Sequence, residues 1–372
     1  MFSSNYTSFI YPFKSRGFKI FYAIQATGNG HIARAIELVP YLQQYGKVDV
    51  FLSGSNSNLQ FDLPVKYRSK GVSLFYGNHG GLNYWKMLKE FSIKRIWKEA
   101  KDLPVEKYDI VINDFECITS IACKIKNVAG INFGHQASFQ SNKTPRPGRK
   151  DLMGELILKK YAVAKTYVGL HFEPYDDFIF NPVIKADILK AEPSDKGYIT
   201  VYLSHYSDEV IADYLKKFKD IRFEIFSKKV KTKTVIDNIS FIPINNKDFT
   251  KSLTHCHGII TGAGFETPAE ALYLGKKILC LPIKGQYEQL CNAEALKKFH
   301  VPVIHTINDN FNTAIQTWLN TTQTQLFKLS HSTFDIVQYV MKTATALKEE
   351  NNAIHSFAEN KNMNHESLLE LH

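Results

Sequence analysis

His31 stands directly after a glycine turn, Thr27-Gly28-Asn29-Gly30, and opens a stretch whose Ala33, Ala35, Ile36, Leu38, Val39 and Leu42 share one helical face. Imidazole titrates near neutrality, so a histidine at such a turn suits removal of a proton from a hydroxyl nucleophile. The same ring could instead cap the helix or hold a phosphate. Asp114 follows the apolar run 108–113. A carboxylate there can orient an imidazole and stabilise its charged form, or it can cap the next helix. A further run, 128–133, ends in Gly134-His135-Gln136, which makes His135 the reserve candidate for the base.

In the second half the run 258–261 ends in Gly262-Ala263-Gly264 and turns helical at Thr267-Pro268. Proline suits a first helical turn, where its missing N–H costs nothing. Strand, glycine turn and helix N-terminus bring free backbone N–H groups and the positive end of a helix dipole together, which is a site for an anion, phosphate first. Glu270 lies one turn beyond Thr267. The next run, 277–282, leads to Gly285-Gln286-Tyr287-Glu288-Gln289 and then Asn292-Ala293, polar groups suited to hydroxyls. Ligands of open α/β sheets bind beyond the carboxyl ends of the strands, so both loops should face one ligand.

Two βαβ-type halves are needed to position these residues. Strands are expected at 18–26, 48–52, 108–113 and 128–133 in the first half, and at 198–203, 222–226, 239–243, 258–261 and 277–282 in the second. The turn Ser204-His205-Tyr206-Ser207 leads into a helix over 208–218, and further helices are expected over 311–319 and 332–347. The expected organisation is a first Rossmann-like domain over 1–175, a linker over 176–196, a second Rossmann-like domain over 197–348, and a polar, frayed tail over 349–372. Gly28-x-Gly30-x-x-Ala33 formally meets the dinucleotide fingerprint. That fingerprint needs an acid near the end of the second strand, whereas Asp49 lies at its beginning, which argues against NAD.

The chain has 372 residues, enough for two α/β domains, and its 44% hydrophobic and 22% charged composition is that of a soluble globular protein. No apolar run approaches the roughly 20 residues of a membrane span, and the N-terminus lacks a signal-peptide pattern, so a cytoplasmic location is expected. Five cysteines without a C-x-x-C pair argue against a disulfide framework. His255-Cys256-His257 lacks a second ligand pair at zinc-like spacing, so no metal site is expected. The net charge of +10 favours anionic partners. Residues 82–101 interleave lysines and an arginine with large apolar groups, a pattern of a core helix with a basic face or of peripheral contact with an anionic membrane. The basic loop 143–150 is expected to be mobile. No nucleic-acid partner is expected.

The segment 255–293 resembles the donor-binding region of inverting GT-B glycosyltransferases of families 1 and 28, the group that includes the lipid-linked N-acetylglucosaminyltransferase of peptidoglycan synthesis. The resemblance implies two Rossmann-like domains facing across a cleft, with the final helices crossing back onto the first. It implies that Gly262, Gly264 and Thr267 hold a diphosphate and that Glu270 holds ribose hydroxyls. Glu288 and Gln289, before Asn292, are implied to contact the transferred sugar. Ser204 and His205 are weaker donor-phosphate candidates, and the loop 241–243 resembles the place where the nucleobase is sandwiched. Family 1 enzymes carry a phosphate-binding histidine two residues before the second glycine, and Gly262 stands there instead. On the acceptor side the resemblance places Gly28 and Gly30 at the cleft, His31 as base, and Asp114 as its partner; His135, read from its own strand end, joins them on that side.

The expected reaction moves a sugar from a nucleotide-diphosphate sugar, UDP first, to a hydroxyl acceptor with inversion. The nucleotide sugar is a co-substrate and no cofactor is implied. The sequence holds no Asp-x-Asp triplet of the kind that carries a cation in the other large glycosyltransferase fold, so metal independence is expected. The basic-aromatic stretch leans toward a lipid-linked acceptor at the inner face of a membrane and a role in the cell envelope. Two alternatives stay open: a non-hydrolysing UDP-sugar epimerase, and a binding subunit without chemistry.

Overall fold

The computed structural model describes residues 17–26, 28–54, 63–71, 92–321 and 327–350. Strands β1 (Phe18–Gln25), β2 (Gly46–Ser53), β3 (Val65–Ser69), β4 (Ile110–Asp114), β5 (Ile131–Gly134), β6 (Thr166–Leu170) and β7 (Ile179–Phe180) form one parallel sheet in the order β3-β2-β1-β4-β5-β6-β7. Strands β8 (Tyr198–Tyr202), β9 (Arg222–Ser227), β10 (Thr234–Ile236), β11 (Ile239–Pro243), β12 (Gly258–Thr261) and β13 (Lys277–Cys280) form a second, in the order β10-β11-β9-β8-β12-β13. Among the described strands only β10 runs antiparallel to its neighbour. The expected α/β architecture of two Rossmann-like halves is the one observed.

The local reasons are in the residues. From Ile20 to Gln25 every position of β1 is buried, as befits a parallel strand covered on both faces. The strand order reverses at β1/β4 and again at β8/β12, and at such switch points the loops diverge and leave a crevice. One apolar core joins the halves: Ile24, Leu38 and Leu170 of the first belong to the same cluster as Ile259, Leu272 and Ala293 of the second. The helix over 333–350 adds Ile336, Val340 and Met341 to it. That helix returns to the first half, where Tyr339 packs on Phe180 at 4.7 Å and Lys348 pairs with Asp109.

Several expectations shift. The range 176–196 given to the linker contains β7, which pairs with β6, so the first sheet extends to Phe180. Strands β3, β6, β7 and β10 were not expected; β3, β7 and β10 are short or edge elements, too brief for a periodic signal. The loop 143–150 is anchored, not mobile. Thr144 is buried and donates to Ser138 O (2.7 Å), while Arg146 bonds Phe139 O (2.9 Å) and pairs with Glu155. Of the basic-aromatic stretch, 82–91 lies outside the described residues. The remainder is a helix, Ile93–Asp102, that buries Ile96 and Ala100 and exposes Ile93 and Trp97. The tail beyond 350 also lies outside. Among the described residues no helix is long and apolar enough to cross a membrane.

Candidate active site

β1 ends at Gln25, and the turn at Gly28 leads into the helix Asn29–Leu42. No side chain caps that helix, so the capping reading of His31 is not observed. Its Nδ1 instead lies 2.8 Å from Oδ1 of Asp114, at the carboxyl end of β4. Nor does Asp114 cap the next helix: Glu116 does, accepting from the backbone N–H of Ile118 and Thr119. A backbone φ of 55° at Phe115 turns the chain between the two carboxylates.

Arg34 completes the group. It follows His31 by one helical turn, is 3% exposed, and donates from Nε (3.0 Å) and Nη2 (2.9 Å) to Oδ2 of Asp114 and from Nη2 (2.8 Å) to Oδ1. Burial pushes the Asp114 carboxyl up, but the Arg34 guanidinium and His31 outweigh it and hold the group below the usual carboxylate range. Asp114 is therefore an anion held by two partners. The Nδ1 of His31, facing that anion, carries the proton, which leaves the lone pair on Nε2. The His31 side chain is 13% exposed, open to a substrate.

Across the cleft, β12 ends at Thr261 and the glycine turn leads into the helix Glu266–Tyr273, with Thr267 half-buried in its first turn. A Cβ on Gly264 would meet no protein atom within 4 Å, so the backbone there faces open space, as does Gly28 on the other side. Gly262 packs toward Gln289, whose Oε1 accepts from Ile283 N–H at 3.0 Å. Glu288 lies in the first turn of the helix Tyr287–Lys297 and accepts from Nε2 of Gln136 at 3.0 Å. Burial raises its pKa. Glu270 is buried and pairs with Lys185 of the segment joining the halves, 3.1 Å away; burial raises its pKa against the pull of that lysine. Ser204 is exposed in the turn after β8. His205 beside it is half-buried against Tyr206, and desolvation lowers its pKa to about 4.

His135 departs from the reserve role. It is 1% exposed, stacked on Phe265 at 3.9 Å, with Nδ1 on Leu170 O (2.9 Å) and Nε2 on Asn292 Oδ1 (2.8 Å). Burial lowers its pKa to about 3. Asn292 also donates to Ala263 O (3.1 Å), so the pair ties the first half to the glycine turn after β12. With the ring buried and both nitrogens covered by these groups, His135 is closed to an acceptor. The His255-Cys256-His257 group scatters: His255 bonds Ser194, His257 bonds Asp195, and Cys256 is buried.

The sequence reading missed Arg34 and Glu266. The signal for Arg34 was a charge among Ile32, Ala33, Ala35 and Leu38 on an apolar face; Glu266 gave none, because its partner lies 232 residues away.

The family model described as glycosyl transferase family 1 matches residues 18–322. No curated protein matches the chain by sequence. Among solved structures, the spinosyn forosaminyltransferase SpnP is similar at 14% identity, with TM-score 0.53 over 89% of this chain and 100% of that one. Arabidopsis thaliana UGT89C1 complexed with UDP-L-rhamnose is similar at 12% identity, with TM-score 0.57 over 90% and 96%. A UDP-glucosyltransferase from Polygonum tinctorium capable of glucosylating indoxyl is similar at 13% identity, with TM-score 0.55 over 92% and 95%. These likenesses show the GT-B fold. The chain belongs to glycosyl transferase family 1 and is a glycosyltransferase.

Proposed function

We propose that the protein transfers a sugar from a UDP-sugar to a hydroxyl acceptor with inversion, using His31 as general base. The observation that carries this reading is the pairing of His31, in the first turn of the helix after β1, with Asp114 at the carboxyl end of β4, beside the glycine turn and helix start after β12. Nε2 of His31 takes the acceptor proton as the acceptor oxygen attacks the anomeric carbon from the face opposite the diphosphate. The new C–O bond forms as the bond to the diphosphate breaks, and its electron pair leaves with the phosphate. Asp114 stabilises the imidazolium that results. Backbone N–H groups at Gly262 and Gly264, the hydroxyl of Thr267 and the helix dipole stabilise charge on the leaving group. In this scheme that charge is met without a divalent ion. Glu288 and Gln289 hold sugar hydroxyls, Glu270 the ribose, and Ser204 and His205 the phosphate rim. UDP is preferred because the similar Arabidopsis thaliana structure is complexed with UDP-L-rhamnose and the similar Polygonum tinctorium protein is a UDP-glucosyltransferase.

A lipid-linked acceptor at an anionic membrane surface is the second part of the reading. Ile93 (69% exposed) and Trp97 (50%) stand among the exposed Lys94, Lys98 and Lys101. Flotation with vesicles containing anionic lipid checks it; equal recovery with neutral vesicles would remove it.

The deciding experiment is a panel of nucleotide sugars tested by thermal shift with chelator present, followed by turnover of the stabilising donor by wild type and His31→Ala. Selective stabilisation that is weakened in Glu270→Ala, with turnover abolished in His31→Ala and donor binding retained, supports the reading. Wild-type turnover in His31→Ala would remove the base.

A further inference from the structure

We propose that Arg34 and Glu266 are positioning residues: the guanidinium sets Asp114 against His31 and, through Glu266, makes that setting depend on contact with the donor-side helix. The inference rests on the reading of His31 as base.

A guanidinium withdrawn from water must be paired on most of its donors, and Arg34 spends them on two carboxylates from opposite halves. Nε and Nη2 grip Asp114, while Nη1 reaches Oε1 of Glu266 at 2.5 Å. Asp114 comes from β4 of the first sheet, and Glu266 is the first residue of the helix that follows the glycine turn. The planar fork is rigid, so the position of one carboxylate constrains the other. Nη2 also lies 3.0 Å from Nδ1 of His31. Arginine has no lone pair to offer, so the proton on Nδ1 goes to Asp114, and the guanidinium fixes which oxygen receives it.

Gly30 supplies an independent observation. A Cβ there would lie 2.6 Å from Oε2 and 3.1 Å from Cδ of Glu266. Gly30 sits in the first turn of its helix, without the positive φ that would require glycine, and glycine in a helix is less favourable than alanine. What the glycine provides is room for the carboxylate of the other half. The acceptor-side turn is therefore shaped to receive Glu266, as well as to face a substrate.

Gly30→Ala tests this without removing a charge, because the added methyl displaces the Glu266 carboxylate. The readout is the imidazole 15N spectrum of His31, assigned by loss of its signals in His31→Gln, at pH 8 and without substrate. Wild type should show the Nδ1–H tautomer; Gly30→Ala and Glu266→Ala should each show a mixture, and Gly30→Ala should add nothing in the Glu266→Ala background. With the donor chosen by the thermal-shift panel, each single variant should lower kcat about 10-fold with donor Kd unchanged. Arg34→Lys, which keeps charge but loses the fork, should lower it further. An unchanged His31 spectrum in both folded single variants, or multiplicative effects of the two substitutions on kcat, would overturn the proposal. The base reading fails separately, on wild-type turnover in His31→Ala, and the spectra stand apart from that outcome.

Discussion

Nδ1 of His31 and Oδ1 of Asp114 lie 2.8 Å apart: the helix that follows β1 carries the histidine, and the end of the neighbouring parallel strand β4 carries the aspartate. Asp114→Asn keeps the shape of this contact but removes the charge that selects the tautomer and stabilises the imidazolium. Turnover should fall by roughly 10²–10⁴-fold, the span of a general-base contribution. The donor Kd should stay within about twofold, because the proposed donor site lies in the other half. Steady-state kinetics beside calorimetric donor binding checks this, and parallel losses in both would place Asp114 in donor binding instead.

The two halves also meet at Gly154 and Tyr287. A Cβ on Gly154 would stand 2.4 Å from Cβ and 2.5 Å from Cγ of the tyrosine, next to the 2.8 Å bond from Tyr287 Oη to Glu155. Glycine to alanine inside a helix is ordinarily stabilising. Here Gly154→Ala should cost about 1–3 kcal/mol by overpacking. Thermal melting decides the sign: a raised Tm would mean that the helices Leu152–Lys160 and Tyr287–Lys297 separate freely.

Lys185 neutralises the buried Glu270. In Lys185→Met the carboxylate keeps its raised pKa without the lysine that opposed it, so it rises further. A carboxyl whose folded pKa is raised contributes stability below its unfolded value, and that contribution is lost as pH rises through the folded pKa. The variant should therefore lose more stability at pH 8 than at pH 5, by about 1–3 kcal/mol, less than the 3–5 of a fully buried broken pair because Lys185 is 18% exposed. Chemical denaturation at the two pH values measures it, and adding Glu270→Gln should flatten the difference.

Burial lowers His135 to about 3 and pushes His171, whose ring lies tilted against it 5.0 Å away, well below its ordinary value. Histidines held neutral in the fold take up protons on unfolding, so their contribution is intact above pH 6.5 and is lost as pH falls below it. Buried Glu116, Glu270 and Glu288 have raised values and act in the opposite sense. The difference between His135→Gln and wild type removes those shared contributions. Wild type should lose about 1–2 kcal/mol more than the variant between pH 7 and pH 5.5. Parallel stability curves over that interval would show that His135 titrates normally.

Much of the site was legible because a parallel strand announces itself. Continuous apolar runs such as 258–261 and 239–243 coincide with β12 and β11, and chemistry in such folds gathers where these runs stop. That is why His31, Asp114, Gly264 and Glu288 could be picked out in order along the chain. The short edge strands left no such trace. A loop rich in basic residues reads as mobile until the fold supplies the carbonyls and the carboxylate that hold Arg146.

The sequence by itself determined the strands, the glycine turns and the residue types at their ends, since these follow from local periodicity and backbone sterics. Tertiary structure decided what each polar group does: it gave Asp114 to His31 and Arg34, Glu270 to Lys185, His135 to Asn292, and the space over Gly30 to Glu266. Such pairs join residues far apart in the chain, and electrostatic partnership depends on distance in space and on burial, neither of which spacing along the chain encodes.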